Sequence, residues 1–276
     1  MRALSNRMGA ALFLAPLLLF LSLAYVMPFL GVAGWSVTLP EPGVGQYGVL
    51  LSDPLVQSVF IRTFRICLFV TLASVAAAYV IAFVWVRGTP LQRTITEFCI
   101  LVPFWISVLT RAFGWVALLS NRGLLNTWLQ AIGVIAEPLA LVRNEFGVIV
   151  GMTHFLIPFA VFPLASAMRN LDDRVLLAAR GLGASRPRVF WTVFVPMTLP
   201  GVIGAALIVF VFALGFFVTP AILGGGRSVM VAELVYVRVF QSPDWGLAAA
   251  ISVVLVVIVG ALLAALFRSL RPAQMV

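Results

Sequence analysis

The sequence has no lysine, one histidine and nine acidic residues, so few side chains can act as a general acid or base. Charged residues make up 10% of the 276 positions, whereas about one quarter is typical of a soluble domain. No Walker A sequence, HExxH motif or nucleophile elbow is present. We therefore expect that the chain is not an enzyme, and that it binds no metal or cofactor of its own.

Apolar residues dominate the composition instead. They make up 63% of the chain, and the mean hydropathy is +1.14. The apolar runs are close to the roughly 20 residues that a helix needs to cross about 30 Å of hydrocarbon. The sequence predicts an all-α, polytopic membrane protein with a single domain over residues 1–276. The six predicted membrane helices are Met8 to Ala33, Ile66 to Val86, Phe98 to Leu119, Phe146 to Met168, Val193 to Leu223 and Trp245 to Phe267.

The distribution of arginines predicts the orientation, because cytoplasmic loops carry an excess of basic residues. With both termini in the cytoplasm, arginines concentrate in the inner segments, above all between residues 169 and 196. The outer loops hold fewer, and we expect the first of them, Gly34 to about Phe64, to be irregular. The net charge of +9 also suits nucleic acid, but the arginines are scattered near membrane boundaries. We expect no nucleic-acid partner.

The inner segment at residues 169–196 is a polar, helix-forming island between two apolar runs. Asp172 or Asp173 can cap a helix whose small or apolar face includes Val175, Ala178, Ala179 and Leu182. Gly183 can end that helix in a left-handed conformation, after which Ser185 can cap a second helix with Pro187 in its first turn. Such an island is either a solvated connector or a surface that docks against a soluble partner.

The residues of this island resemble a known motif. Ala178-Ala179, Gly183 and Val193-Phe194-Val195-Pro196 have the spacing of the cytoplasmic EAA motif of binding-protein-dependent ABC importer permeases. Other segments resemble the first permease subunit of spermidine/putrescine-type importers. They are Asp53-Pro54-Leu55, Arg62-Thr63, Val102-Pro103-Phe104-Trp105, Ser107-Val108-Leu109-Thr110-Arg111, Gly123-Leu124-Leu125-Asn126, Gly224-Gly225-Gly226 and Asp244-Trp245-Gly246.

The resemblance implies the type I ABC importer permease fold, placed in the bacterial inner membrane. It also implies a homologous second permease, an extracytoplasmic solute-binding protein and two ATPase subunits that hold ATP and Mg. The cargo would be a polyamine or a similar organic amine. The family's motif begins with Glu where this chain has Leu177, so docking would depend more on shape and apolar contact. The implied ATPase-coupling residues are Leu177, Ala178, Ala179, Gly183, Ala184, Ser185, Val193 and Pro196.

Candidate residues for the translocation pathway or its gate are Arg111, Trp105, Glu233 and Asp244. Arg111 interrupts an apolar run, and a charge there requires a partner or water. It can form a clamp or gate with an outer acid such as Glu145, Glu233 or Asp244, or it can contact an anionic group of the substrate. His154, in the fourth predicted span, is either a functional polar group or a hydrogen-bonding residue between packed helices.

Two other functions remain open from the sequence. An ATP-independent secondary transporter or channel commonly marks its ion path with intramembrane acids, and no Asp or Glu falls near the middle of a predicted span. An ABC importer for another small solute, such as an amino-acid derivative, would share the motif and differ in its binding protein. Neighbouring genes for an ATPase, a second permease and a secreted receptor would separate the first alternative from the second.

Overall fold

The computed structural model describes residues 14–270, and all the regular structure in that range is helical. Residues 8–13, at the start of the first predicted span, lie outside the described part. The twelve helices are α1 Leu14–Thr38, α2 Gly45–Ser52, α3 Pro54–Arg87, α4 Pro90–Trp105, α5 Val108–Leu119, α6 Leu124–Ala131, α7 Glu145–Arg169, α8 Asp173–Gly181, α9 Arg186–Leu214, α10 Val218–Gly224, α11 Val231–Phe240 and α12 Trp245–Leu270.

Five of these helices, α1, α3, α7, α9 and α12, are long and apolar enough to cross a membrane. The bent pair formed by α4 and the segment Val108–Ala131, whose halves meet at 105°, is apolar enough only when both halves are taken together, and it forms either a broken sixth span or a re-entrant loop. The prediction of a polytopic all-α membrane protein is therefore confirmed for the described residues.

The third span was wrongly predicted as one continuous helix from Phe98 to Leu119. It begins at Pro90, where Thr89 and Gln92 form a reciprocal capping box, and it breaks after Trp105. Ile106 and Ser107 have ψ angles of 134° and 142°, so neither can continue the ladder of helical hydrogen bonds. Pro103 weakens the same turn because it has no N–H to donate.

The bounds of three other spans also differ from the prediction, and the first of them ends at Thr38 instead of Ala33. The second span, predicted from Ile66, begins at Pro54 after Asp53, whose Oδ1 accepts a hydrogen bond from the Leu55 N–H at 2.8 Å. The prediction that Gly34–Phe64 is irregular is therefore wrong: α1 continues to Thr38, α2 covers Gly45–Ser52, and α3 already begins at Pro54. The fifth span, predicted over Val193 to Leu223, runs instead from Arg186 to Leu214, and Leu223 belongs to α10.

The chain divides into two compact units, Ser58–Glu233 and the combined flanking segments up to Gln57 and from Leu234. In the flanking unit, α12 packs against α1 and α2. Trp35 and Trp245 meet edge to face with their ring centroids 5.5 Å apart, a geometry that aromatic pairs favour. The single domain over residues 1–276 stays a prediction.

In the Ser58–Glu233 unit, α7 is the central helix and packs against α4, α5, α9 and α10. Its contact with α9 is close, because a Cβ added at Gly201 would lie only 2.4 Å from the Cβ of Ala167. Small residues at such positions let membrane helices approach each other, which strengthens van der Waals packing. The buried side chains of α7 include Met152, Leu156, Ala160, Leu164 and Met168.

Candidate coupling loop and translocation pathway

Helix α8 begins where the sequence predicts. Asp172 occupies the N-cap position, and its Oδ1 accepts a hydrogen bond from the Arg174 N–H at 2.9 Å. A carboxylate there is also favourable because the N-terminus of a helix carries partial positive charge. Of the two predicted caps, Asp172 is thus the one used, and Asp173 instead forms an ion pair with Arg87.

The elbow after α8 also has the predicted form. Gly183 has a φ of +87°, in the region that favours glycine, and it leads from α8 into α9. The N–H groups of Leu182 and Ala184 donate back to Ala178 and Ala179, which closes the end of the helix. Ser185 precedes α9 at the N-cap position, but its side chain makes no capping hydrogen bond. Ser185 therefore occupies the predicted N-cap position, but the predicted capping hydrogen bond from its hydroxyl group is absent.

Most of the candidate coupling residues face outward. No residue of α8 is buried, and the side chains of Leu177 and Leu182 are 62% and 90% exposed. Val175 and Ala178 are also exposed, so the predicted apolar face is present and uncovered in this chain. Ala179, Ala184 and Val193 are half-buried, while Ser185 and Pro196 are exposed. This exposed apolar surface on α8 and its elbow is available to a soluble partner.

Sequence reasoning missed Arg87, the last residue of α3. Its Nη1 lies 2.5 Å from Oδ1 of Asp173, and its guanidinium carbon lies 5.7 Å from the centre of the Phe194 ring. Arg87 thereby connects the end of α3 to the start of α8 and to α9. The available signal was a basic residue in the last turn of a span, which the sequence alone cannot pair with an acid 86 positions away.

Arg111 has a partner that the sequence did not predict. Its guanidinium carbon lies 3.9 Å from the centre of the Phe155 ring on α7, a cation–π contact. No acidic side chain of Ser58–Glu233 pairs with it, so the predicted clamp with Glu145 or Glu233 is absent from this described unit. The Arg111 Nε is buried and has no hydrogen-bond partner among the described residues.

His154 lies on α7 next to the Arg111 contact. Its Nδ1 accepts a hydrogen bond from the Trp115 indole N–H of α5 at 3.2 Å, and the two rings meet edge to face with centroids 5.5 Å apart. Of the two readings of His154, the structure shows the hydrogen bond between packed helices. This contact and the Arg111–Phe155 contact together hold α5 against α7.

Neither Trp105 nor Glu233 forms an ion pair or a cation–π contact with Arg111 among the described residues. Trp105 is 83% exposed at the break between α4 and α5. Glu233, in the first turn of α11, is buried, and burial raises the pKa of its carboxyl although a backbone hydrogen bond at Met230 opposes this. Asp244 belongs to the flanking unit, where its Oδ1 accepts from the Leu247 N–H at 3.0 Å and caps α12.

Ion pairs connect the N-terminal half of α3 to the first turn of α7. Arg65 Nη2 contacts both carboxylate oxygens of Glu145, at 2.5 and 2.7 Å, and Arg62 Nε lies 3.5 Å from the same group. The carboxylate of Glu145 is therefore already paired with two arginines, which explains why it is not the partner of Arg111. Arg62 and Arg65 are three residues apart, a spacing that places both on one face of a helix.

We expect Glu145→Gln to lower the thermal stability modestly, because it leaves two guanidinium groups side by side without an acid. The three side chains are partly exposed, so the expected loss is about 1 kcal/mol or less. Thermal unfolding at low and high salt measures it, and screening should shrink the difference. Glu137→Gln is the matched control, since Glu137 is exposed and makes no ion pair among the described residues; equal effects of the two variants would contradict the role of Glu145.

Comparison with known proteins identifies the class. The chain superimposes on the bacterial alginate ABC transporter in complex with alginate pentasaccharide-bound periplasmic protein, with a TM-score of 0.77 at 15% identity over 99% of this chain and 98% of the other. It also matches the MetNI methionine ABC transporter, with a TM-score of 0.58 at 16% identity over 80% and 98% of the two chains. The predicted fold of an ABC importer permease is confirmed.

The family follows from the sequence comparison. The family model described as "binding-protein-dependent transport system inner membrane component" matches residues 71–273, and the chain belongs to that family. PotB, the spermidine/putrescine transport system permease protein of Escherichia coli K12, is 34% identical over 80% of each chain. PotB of Haemophilus influenzae is 32% identical over 79% of this chain and 77% of its own. The protein is thus a multi-pass permease subunit of an ABC importer, a transport component and not an enzyme.

Proposed function

We propose that this permease imports a polyamine or a similar organic amine, delivered by an extracytoplasmic binding protein. The observation that carries the proposal is the similarity to PotB, which extends over four fifths of both chains. A more distant relative, the probable sulfate transport system permease protein cysT of Chlorokybus atmophyticus, is 26% identical over 72% of this chain. The family scaffold therefore serves more than one kind of cargo, and the assignment of the solute requires its own test.

The proposed partners are a homologous second permease and two ATPase subunits, which hold ATP and Mg. The exposed apolar surface of α8 supports this assembly, because an uncovered apolar helix at a membrane boundary suits docking to a soluble ATPase subunit. Leu177, Leu182 and the Gly183 elbow would enter the ATPase, and α9 would pass the movement to the membrane helices. Alternating access would follow from rigid-body movement of packed helices.

The arginine distribution supports a cytoplasmic position for both termini and for α8. The coupling loop must then face the compartment that holds ATP. Trp105, Arg111 and Glu233 stay candidates for the pathway or its gate. Asp244 is a weaker candidate, since its carboxylate already caps α12.

Uptake by the reconstituted importer tests the proposal. The four kinds of subunit would be placed in proteoliposomes, and the entry of radiolabelled spermidine and putrescine would be measured with ATP inside. We expect saturable uptake that requires the binding protein and ATP, with competition by other polyamines. ATP-dependent uptake of a sulfate or an amino-acid derivative, with no uptake of polyamine, would refute the proposed polyamine cargo. It would leave the assignment as an ABC importer unchanged.

Arg111 provides a test of the charge of the cargo. A polyamine nitrogen passing at about 10 Å in an effective dielectric of 20 is repelled by about 1.7 kcal/mol, or roughly 15-fold. We therefore expect Arg111→Gln to lower the KM for a cationic solute by up to that factor, and Arg111→Lys to leave it nearly unchanged. A rise in KM on removing the charge would indicate that Arg111 binds an anionic group, which is the alternative reading.

A further inference from the structure

A groove of about 290 Å³ lies between α8 and the adjoining ends of α3 and α9, and three arginines line it: Arg87, Arg180 and Arg186. Only Arg87 has an acidic partner, Asp173. The side chains of Arg180 and Arg186 make no ion pair or hydrogen bond with any described residue. The Nε of Arg87 is buried and also has no hydrogen-bond partner there. The groove thus carries an excess of positive charge over its one carboxylate.

The rest of the groove wall is apolar. Phe83, Phe190 and Phe194 form a cluster whose centroids are 5.5 to 5.7 Å apart, and Leu176 and Val189 complete the lining. A site for a free phosphate or a nucleotide would be expected to surround the anion with donors. Here arginine side chains line one side of the groove and apolar side chains line the other. This arrangement fits a ligand that is charged at one end and apolar beyond it.

A second and larger concavity adjoins the groove at Phe190, which lines both. This trough of about 650 Å³ runs between α3 and α9 and is almost purely apolar. Leu72 and Val80 form one side and Trp191 and Leu199 the other, and all four are exposed. From Trp191 to Ala206 the trough follows α9 for about 22 Å at 1.5 Å per residue. Half of a bilayer's hydrocarbon core is about 15 Å thick. The trough is comparable in length to that half together with the headgroup region next to it.

We propose that the arginine groove and the apolar trough together bind one anionic phospholipid. Its phosphate would lie against Arg87, Arg180 and Arg186, and one acyl chain would lie in the trough along α9. The predicted cytoplasmic position of α8 agrees with this, because basic pockets between membrane helices on that side bind anionic headgroups. Since Arg180 and Arg186 flank the Gly183 elbow, the lipid would brace the coupling loop against α3.

Trp191, 68% exposed at the edge of the trough, reports on the acyl chain. The full chain, purified with its partner subunits, would be placed in nanodiscs of phosphatidylcholine with increasing fractions of either brominated phosphatidylglycerol or brominated phosphatidylcholine. Bromine on the acyl chain quenches a nearby indole, and subtracting the spectrum of Trp191→Phe isolates the Trp191 signal. We expect quenching of Trp191 at a much lower fraction of phosphatidylglycerol than of phosphatidylcholine.

The double variant R180Q/R186Q should reduce that preference, by roughly five-fold for each arginine removed. The double variant R174Q/R188Q is the matched control: it removes two arginines from the same loop, and neither of them lines the groove. It should retain the preference. Each variant must first be shown to copurify with the partner subunits, so that the lipid signal is read from an intact assembly.

Three results would overturn the proposal. Equal quenching of the wild type by both lipids would indicate ordinary contact with the bilayer. No quenching by either lipid would indicate that a protein surface covers the trough. Loss of the phosphatidylglycerol preference on adding millimolar inorganic phosphate would indicate a site for a free anion. None of these measurements requires transport, so their outcome is independent of the identity of the cargo.

Discussion

We expect Gly183→Trp to abolish coupled transport while the assembly still forms. A Cβ at Gly183 meets nothing within 4 Å in this chain, so the new side chain has room here and projects from the elbow. Its φ of +87° is costly for any other L residue, roughly 1–2 kcal/mol, which corresponds to about 5- to 30-fold in an equilibrium. Strain at the elbow and bulk at the docking surface therefore act together. ATP hydrolysis and solute uptake, measured in the same proteoliposomes, report the uncoupling.

Two further variants separate strain from bulk. Asn tolerates a left-handed conformation better than other residues with a side chain, so Gly183→Asn should lose less transport than Gly183→Ala if backbone strain is the cause. Gly181→Ala is the matched control, because Gly181 is also open to solvent, has an ordinary helical φ and lies two residues away. Substrate-dependent ATP hydrolysis at the wild-type level in Gly183→Trp would refute the role of the elbow.

The second large effect concerns stability, at the contact between α7 and α9. Gly201→Ala would place a Cβ 2.4 Å from the Cβ of Ala167, with the Pro163 carbonyl oxygen at 3.3 Å. Neither contact is the mobile end of a long side chain, so the helices must separate, at a cost of about 1–3 kcal/mol. We expect the apparent Tm to fall by roughly 2–4 °C for each kcal/mol. Thermal unfolding followed by tryptophan fluorescence measures the change.

The chain offers both a control and a rescue for this prediction. Gly204→Ala lies one turn further along α9 and meets nothing within 4 Å, so it should be neutral or slightly stabilising, because alanine favours the helix. Ala167→Gly removes the atom that the new methyl would strike, so the double variant A167G/G201A should recover most of the lost stability. Failure of the second substitution to restore stability would show that the two helices are not packed through this contact.

The sequence predicted the helical class, most of the spans and the helix–elbow–helix form of residues 169–196, because these depend on local features. Hydropathy over about 20 residues predicts a span, and Asp172 and Gly183 act on their immediate neighbours. Element ends were less predictable. Arg62 and Arg65 lower the hydropathy of α3 without ending the helix, and the break at Ile106–Ser107 is a choice of backbone angles within an apolar run.

The contacts of Arg111 show why the pathway was harder to predict. Charge alone suggests an acid as its partner, and Glu145 was a reasonable candidate. Glu145 is bound by Arg62 and Arg65, however, and Arg111 lies on the face of Phe155. Which arginine pairs with an acidic side chain depends on the rotation and register of α3, α5 and α7. No short sequence pattern encodes this pairing. The link from Arg87 to Asp173 is long-range in the same sense.

Site-specific crosslinking of the elbow to the ATPase is the most direct test of the claim that α8 couples this permease to its motor. Leu182 is 90% exposed, and Leu182→Cys would carry a short photoreactive group in a background with Cys99, the exposed native cysteine, replaced by Ser. Leu72→Cys, exposed in the apolar trough, is the control. We expect the Leu182 probe to crosslink to the ATPase subunit in the intact assembly, with a yield that changes on binding ATP. An intact, transporting assembly in which Leu182 never crosslinks to the ATPase would contradict the account.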